Sequence, residues 1–190
     1  MSENTGFERP LVPRRVVLVL PFIIFALVAL TVGLLASKTT RSPYHTPFFH
    51  LFFSDTLHMK VWLITAAVLL GVTQLLTASR IYGLLHFPPP GGLYNVVHRW
   101  SGRTAIVLTL PAAYHCIFML GFDTSDARVY VHSILGSSVY GAFLAKVFIV
   151  RARGFSGWAL PVAGGLLLSI LLGVWLTSAL WFIKRFGIGI

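Results

Sequence analysis

Residues 130–150 read YVHSILGSSVYGAFLAKVFIV, a run whose only formal charge is Lys146 and whose third residue is His132. At 1.5 Å per residue it is about 31 Å long, the thickness of the hydrocarbon core of a bilayer, and so it predicts a transmembrane helix. Runs of similar length and character occupy 16–37, 58–79, 101–122 and 158–183. The expected fold is therefore all-α: a polytopic transmembrane helix bundle of five spans, with spans two to five as a four-helix core, forming one domain over 1–190.

Composition agrees. Charged residues make up 11% of the 190 and apolar ones 56%, with mean hydropathy +0.82, whereas a soluble domain carries about a quarter charged residues to clothe its surface. Five spans use more than half of the chain and leave only short connections. Fifteen Lys and Arg against five Asp and Glu give a formal charge of +10. These cations sit in the connections, where they set topology and meet anionic headgroups, and no basic stripe with interleaved aromatics suggests nucleic-acid binding. Arg9, Arg14, Arg15, Arg80, Arg99, Arg103, Lys146, Arg151 and Arg153 fall on one side, and Lys38, Arg41, Lys60, Arg128, Lys184 and Arg185 on the other. Nine against six places the N-terminus in the cytoplasm. The first run follows Arg14 and Arg15 as a signal peptide would, but it lacks a small-x-small cleavage site and reads as a retained span. Cys116 is the lone cysteine, so no intramolecular disulfide can form.

Two connections are more than minimal. Over 39–57, Pro43, Pro47 and the block Phe48-Phe49-His50-Leu51-Phe52-Phe53 suit a segment lying at the outer interface. Over 80–100, Pro88-Pro89-Pro90-Gly91-Gly92 stops any helix. Pro111, inside span three, is expected to kink that helix and release the Val107 carbonyl. Trp62, Trp100, Trp158 and Trp181 lie near span ends as interfacial anchors.

Ionisable groups inside spans are costly and commonly face a cavity or a metal, which singles out His58, His98, His115 and His132. In the expected topology His58, His115 and His132 gather toward the outer face from three helices, while His98 lies at the inner end of span three. Imidazoles converging in an apolar bundle suit a b-type haem, whose iron is clasped by axial histidines in a dry slot. His132 pairs with His58 or His115 on this reading. His98 marks a second haem only if a partner such as His86 is found. Each histidine also has a plainer reading, as an interfacial or capping group. Gly136, one turn beyond His132, and Gly102, one turn beyond His98, give the slot room, as do Ser137, Gly141 and Ala145 for a ring or a neighbouring helix. Arg128 and Lys60 stand where propionates would emerge, although both also suit ordinary snorkelling cations.

The blocks His98-Arg99-Trp100-Ser101-Gly102-Arg103, Tyr114-His115-Cys116 and His132-Ser133-Ile134-Leu135-Gly136 resemble those of an uncharacterised family of five-helix membrane proteins from high-GC Gram-positive bacteria. The resemblance implies a bacterial plasma membrane. More distantly, the chain is similar to the cytochrome b561 and ferric-reductase-like membrane cytochromes. It departs from the ferric reductases in having no pair of histidines 14 residues apart on each of two helices, and no flavin or nicotinamide domain. The function expected is an electron carrier rather than a stand-alone enzyme: haem b passing electrons from a quinol or redox protein partner to an acceptor near the outer face. A haem-free scaffold or accessory subunit of a larger membrane complex is the alternative. A histidine-relay transporter is disfavoured by the lack of inverted repeats.

Overall fold

The computed structural model describes residues 14–39, 49–87, 89, 91–152 and 154–187. Among these residues all regular structure is helical: α1 Arg14–Ser37, α2 Thr56–Ile81, α3 Leu93–Leu120, α4 Ala127–Arg151 and α5 Ala159–Phe186. All five are long and apolar enough to cross a bilayer, so the chain is a multi-pass, all-helical membrane protein in contact with lipid. Arg9, Arg41, Arg153, Pro88, Pro90 and the part of the interfacial segment from Pro43 to Phe48 lie outside the described residues.

Short polar residues set the helix starts. Asp55 has extended backbone (φ −156°, ψ 174°) and its carboxylate accepts the amides of Leu57 and His58, which have no partner inside the first turn of α2. Asp126 caps α4 in the same way through Val129 N, at 3.1 Å. Span three starts eight residues earlier than hydropathy indicates. Its first turns carry Tyr94, Asn95, His98 and Arg99, and the helix begins as soon as Gly91 and Gly92 end the proline turn.

Neighbouring helices run antiparallel. Gly33 and Phe25 of α1 meet Ser137 and Gly141 of α4, Thr77 of α2 meets His98 of α3, and Thr65 of α2 receives the Trp175 indole of α5 at 2.9 Å. We call the end carrying the start of α1 the near end and the opposite one the far end. The central core is built from α2 to α5: Ile64, Ala112, Val139, Ala142, Ile170 and Val174 form one buried cluster, with Ala67, Val68, Ala105 and Leu171 toward the near end. Helix α1 leans on this core from outside and, among its described side chains, buries only Pro21 and Ala36, while Phe22 is 75% exposed to what would be lipid.

Small residues decide that docking. A Cβ on Gly141 would stand 2.6 Å from the Phe25 carbonyl oxygen, so the Ser137 and Gly141 stripe of α4 admits a helix backbone, in the manner of small-residue membrane interfaces. Helix α3 runs on through Pro111, and its irregularity comes later, as a π turn over Cys116–Leu120. Gly121 then ends α3 with φ +74°, a conformation that disfavours any side chain, close against the carbonyls of Ala36 and Thr39. A second π turn, Leu176–Leu180, interrupts α5 at the same end.

Candidate functional site: a far-end cavity between the two π turns

Both π turns face one space. A cavity of about 420 Å³ lies in the far half of the bundle, walled by all five helices and mostly apolar. Its size is within the roughly 300–1,000 Å³ of sites that enclose a small ligand or cofactor. Cys116 and Ile117 from the first π turn and Thr177 and Ser178 from the second are on its wall. Such turns widen a helix locally and recur at functional sites.

The polar groups of the wall are few. From α4 come Arg128 and His132, one turn apart, with Gly136 a turn further in and Tyr140 beyond it. A Cβ on Gly136 would meet no atom within 4 Å, so this glycine opens onto the cavity while its neighbour Ser137 touches α1. The Arg128 guanidinium is fixed by α5: Nη1 donates to the Thr177 carbonyl at 2.6 Å, and the group lies 4.0 Å over the Trp181 ring. Its nearest carboxylate, Asp126, is 4.0 Å away.

His132 is held by the same turn. Its Nδ1 lies 3.1 Å from Thr177 Oγ1, and that hydroxyl has its own short contact, 2.7 Å, with the Gly173 carbonyl. A hydroxyl has one proton, and here it goes to the carbonyl, so Thr177 accepts from His132. Nδ1 therefore carries the ring proton and Nε2 the lone pair. This is the tautomer in which a histidine ligates a metal through Nε2 with a second group fixing its ring.

Lys60 of α2 completes the charge of the wall. Among the described residues it has neither a carboxylate nor a hydrogen-bond partner. Asp123 is the wall's acidic group, with Oδ1 accepting the Ser125 amide. An ammonium beside an apolar cavity without a counterion favours an anionic ligand group.

The other histidines face elsewhere. His115 is fully buried, but both ring nitrogens meet backbone: Nδ1 lies 2.8 Å from the Pro111 carbonyl and Nε2 accepts the Phe49 amide at 3.3 Å, with the Phe49 ring 4.5 Å away. It pins the far-end loop to α3. His58 Nδ1 is 2.6 Å from the Asp55 carboxylate and its ring meets the edge of Phe182. The Asp55 carboxyl is held below its usual range, chiefly by the backbone amide and the ring of His58, with desolvation opposing weakly. Neither His58 nor His115 is on the cavity wall. His98 is at the near end, bonded to Thr77 Oγ1 at 2.9 Å. Gly102 serves that seam too: its lack of a side chain admits Gln74, whose amide donates to Ser101 Oγ and the His98 carbonyl.

Of the residues expected to bind a cofactor, His132, Lys60, Arg128 and Gly136 thus share one cavity, while His58, His115, His98 and Gly102 do not join them. Among the described residues no group of three or more His, Cys, Asp or Glu side chains could hold a metal ion by themselves. Thr177 and Tyr140 are wall residues that the sequence did not single out, and Cys116, noted above only as the lone cysteine next to His115, joins them on the wall. Tyr140 lies one turn beyond Gly136 and Thr177 one turn before Trp181.

The fold and this cavity define a multi-pass, all-helical membrane protein with a mostly apolar cavity, edged by a few charged groups, toward one end of its bundle. The chain belongs to a family of unknown function (DUF6529), whose model matches residues 17–190. Neither a curated protein nor a solved structure matches it.

Proposed function

We propose that the far-end cavity seats one haem b and that the protein is a b561-like electron carrier of a bacterial plasma membrane, N-terminus cytoplasmic. It would take electrons from a quinol or a protein donor and deliver them near the far, outer face. The observation that carries this reading is His132, with its Nδ1 proton engaged by Thr177 and its lone pair on Nε2, beside an apolar chamber that also holds Lys60 and Arg128. The residues supply part of what the group needs: one imidazole for iron, two cations for propionates, Gly136 for clearance, and mostly apolar walls. A bound haem would supply reversible one-electron chemistry. The chain's own work is to orient the ligand through Thr177, neutralise acid groups through Lys60 and Arg128, and keep the chamber dry. Among the described residues His132 would be the only histidine ligand, because His58 and His115 are committed elsewhere.

The test is the absorption spectrum of protein purified after expression with haem supplied. A Soret band that sharpens with dithionite and disappears in His132→Ala supports the proposal, and a wild-type protein without such a band overturns it.

One observation favours a second reading. Among the described residues a single histidine stands on the cavity wall, fewer than a haem clasped on both sides requires, which suits a haem-free accessory subunit of a larger membrane complex. Stable co-purification with a partner, unchanged in His132→Ala, would favour that alternative.

A further inference from the structure

Helices α3 and α4 wall opposite sides of the cavity without packing closely on each other. Helix α1 occupies the far part of the gap, leaning on α4 and meeting α3 at its π turn. In mid-bilayer the two are joined by a hydrogen bond between Tyr140 and Thr109, 3.0 Å long. Thr109 Oγ1 also lies 2.7 Å from the Ile106 carbonyl, which takes its proton, so the Tyr140 hydroxyl is the donor to Thr109. Thr109 is about 16 Å along α3 from Leu120, which places this bond among acyl chains, away from water.

On the α3 side of that bond is a second space, a groove of about 280 Å³ lined by Leu110, Ala113, Tyr114, Ile117, Phe118 and Tyr140. Leu110 is 50% and Phe118 48% exposed, so the groove faces lipid. Ala113, Ile117 and Tyr140 line the cavity as well, and the two spaces therefore share a wall of three side chains. Two of the three are an alanine and an isoleucine. The third, Tyr140, is a ring tethered at its tip by one neutral hydrogen bond.

We propose that this seam is a lateral portal through which a lipid-dissolved, carboxylate-bearing amphiphile passes between the bilayer and the cavity, with Tyr140 as its gate and Lys60 as the seat of the acid group. The apolar wall selects an apolar body. Lys60 seats an acid group because it has no counterion among the described residues, and Arg128, whose bonds are to the neutral Thr177 carbonyl and the Trp181 ring, can take a second. Asp123, the opposing charge on the wall, leaves the chamber net positive. The inference rests on the proposed reading of the cavity as a ligand chamber, though not on the ligand containing iron.

The experiment uses haem-free protein in liposomes and metal-free protoporphyrin IX dissolved in the lipid, followed by porphyrin fluorescence, with the dimethyl ester as the uncharged control. Saturable binding of the diacid is expected, with the ester about tenfold weaker. Lys60→Met should weaken the diacid about tenfold and leave the ester unchanged. Tyr140→Phe should speed binding and release together, with the Kd within twofold. Saturable binding of this metal-free ring by the wild type needs no iron ligand, so it separates this outcome from failure of the haem reading. Equal binding of diacid and ester, or no response to Lys60→Met in a variant with wild-type helicity, would overturn the acid seat. Unchanged rates in Tyr140→Phe would overturn the gate.

Discussion

Replacing Thr177 by valine keeps the shape of the side chain and removes the hydroxyl that receives His132 Nδ1, 3.1 Å away. The Thr177 carbonyl remains, so the 2.6 Å bond from Arg128 survives and the π turn keeps its tie to α4. The imidazole N–H then loses its hydroxyl acceptor, and the Val174 carbonyl is the backbone group left beside the ring. Leaving a buried donor unsatisfied costs about 1–3 kcal/mol, but interhelical hydrogen bonds in membranes average only about 0.6 kcal/mol when deleted. A value of about 1 kcal/mol lies between the two, or roughly fivefold in an equilibrium. Ligand binding should suffer more, because groups that orient a metal-bound histidine are commonly worth about 10–100-fold in affinity. Titration of the Soret band in Thr177→Val, alongside thermal unfolding in detergent, reads both quantities. A variant that binds haem within twofold of wild type, while His132→Ala does not bind it, would refute the tautomer argument and with it the role given to the second π turn.

Other substitutions separate packing from binding. Gly141→Ala pushes a methyl against the Phe25 carbonyl, 2.6 Å from the Cβ position, and should cost about 1–3 kcal/mol as α1 is displaced; Gly136→Ala points into open space and should leave the melting temperature nearly unchanged. His115→Ala removes a fully buried ring and its two backbone contacts, so a loss of about 2–4 kcal/mol is expected with haem affinity intact. Asp55→Ala removes the α2 cap and should cost about 1 kcal/mol at neutral pH. Because the folded pKa of Asp55 is lowered from 3.8, its contribution is fully present above the unfolded value and fades as pH falls through the folded one. Melting curves of the wild type and this variant should therefore converge below pH 3.8, and a gap that persists there would contradict the capping role.

Much of the architecture was legible in the sequence because membrane spans announce themselves by length and apolarity alone. Where polar residues occupy a helix the signal fails, and so hydropathy places the start of α3 at residue 101 although the helix begins at Leu93. Neither π turn was legible, since nothing in Cys116–Leu120 or Leu176–Leu180 departs from an ordinary apolar helix. Depth along the bundle was legible from counting, which brought His132, Lys60 and Arg128 to one level. Rotation about each helix axis was not. His58 and His115 occupy the expected end of the bundle, yet one turns to the Asp55 carboxylate and the other to the backbone of Pro111 and Phe49. The stripe of Ser137 and Gly141 could have received a flat ring or a helix, and it received α1. Thr177 is invisible as a site residue because Ser and Thr hydroxyls inside spans usually bond to their own helix, and Tyr140 because the sequence does not say where the tip of its ring lies; only the coordinates show that both reach across.

The most direct measurement is the pyridine-haemochrome content of purified wild type, His132→Ala and His98→Ala, each normalised to protein. One haem b per chain in the wild type and in His98→Ala, with essentially none in His132→Ala, is the expected result. Wild-type protein without haem, or equal haem in all three, would contradict the assignment of the far-end cavity as the cofactor seat.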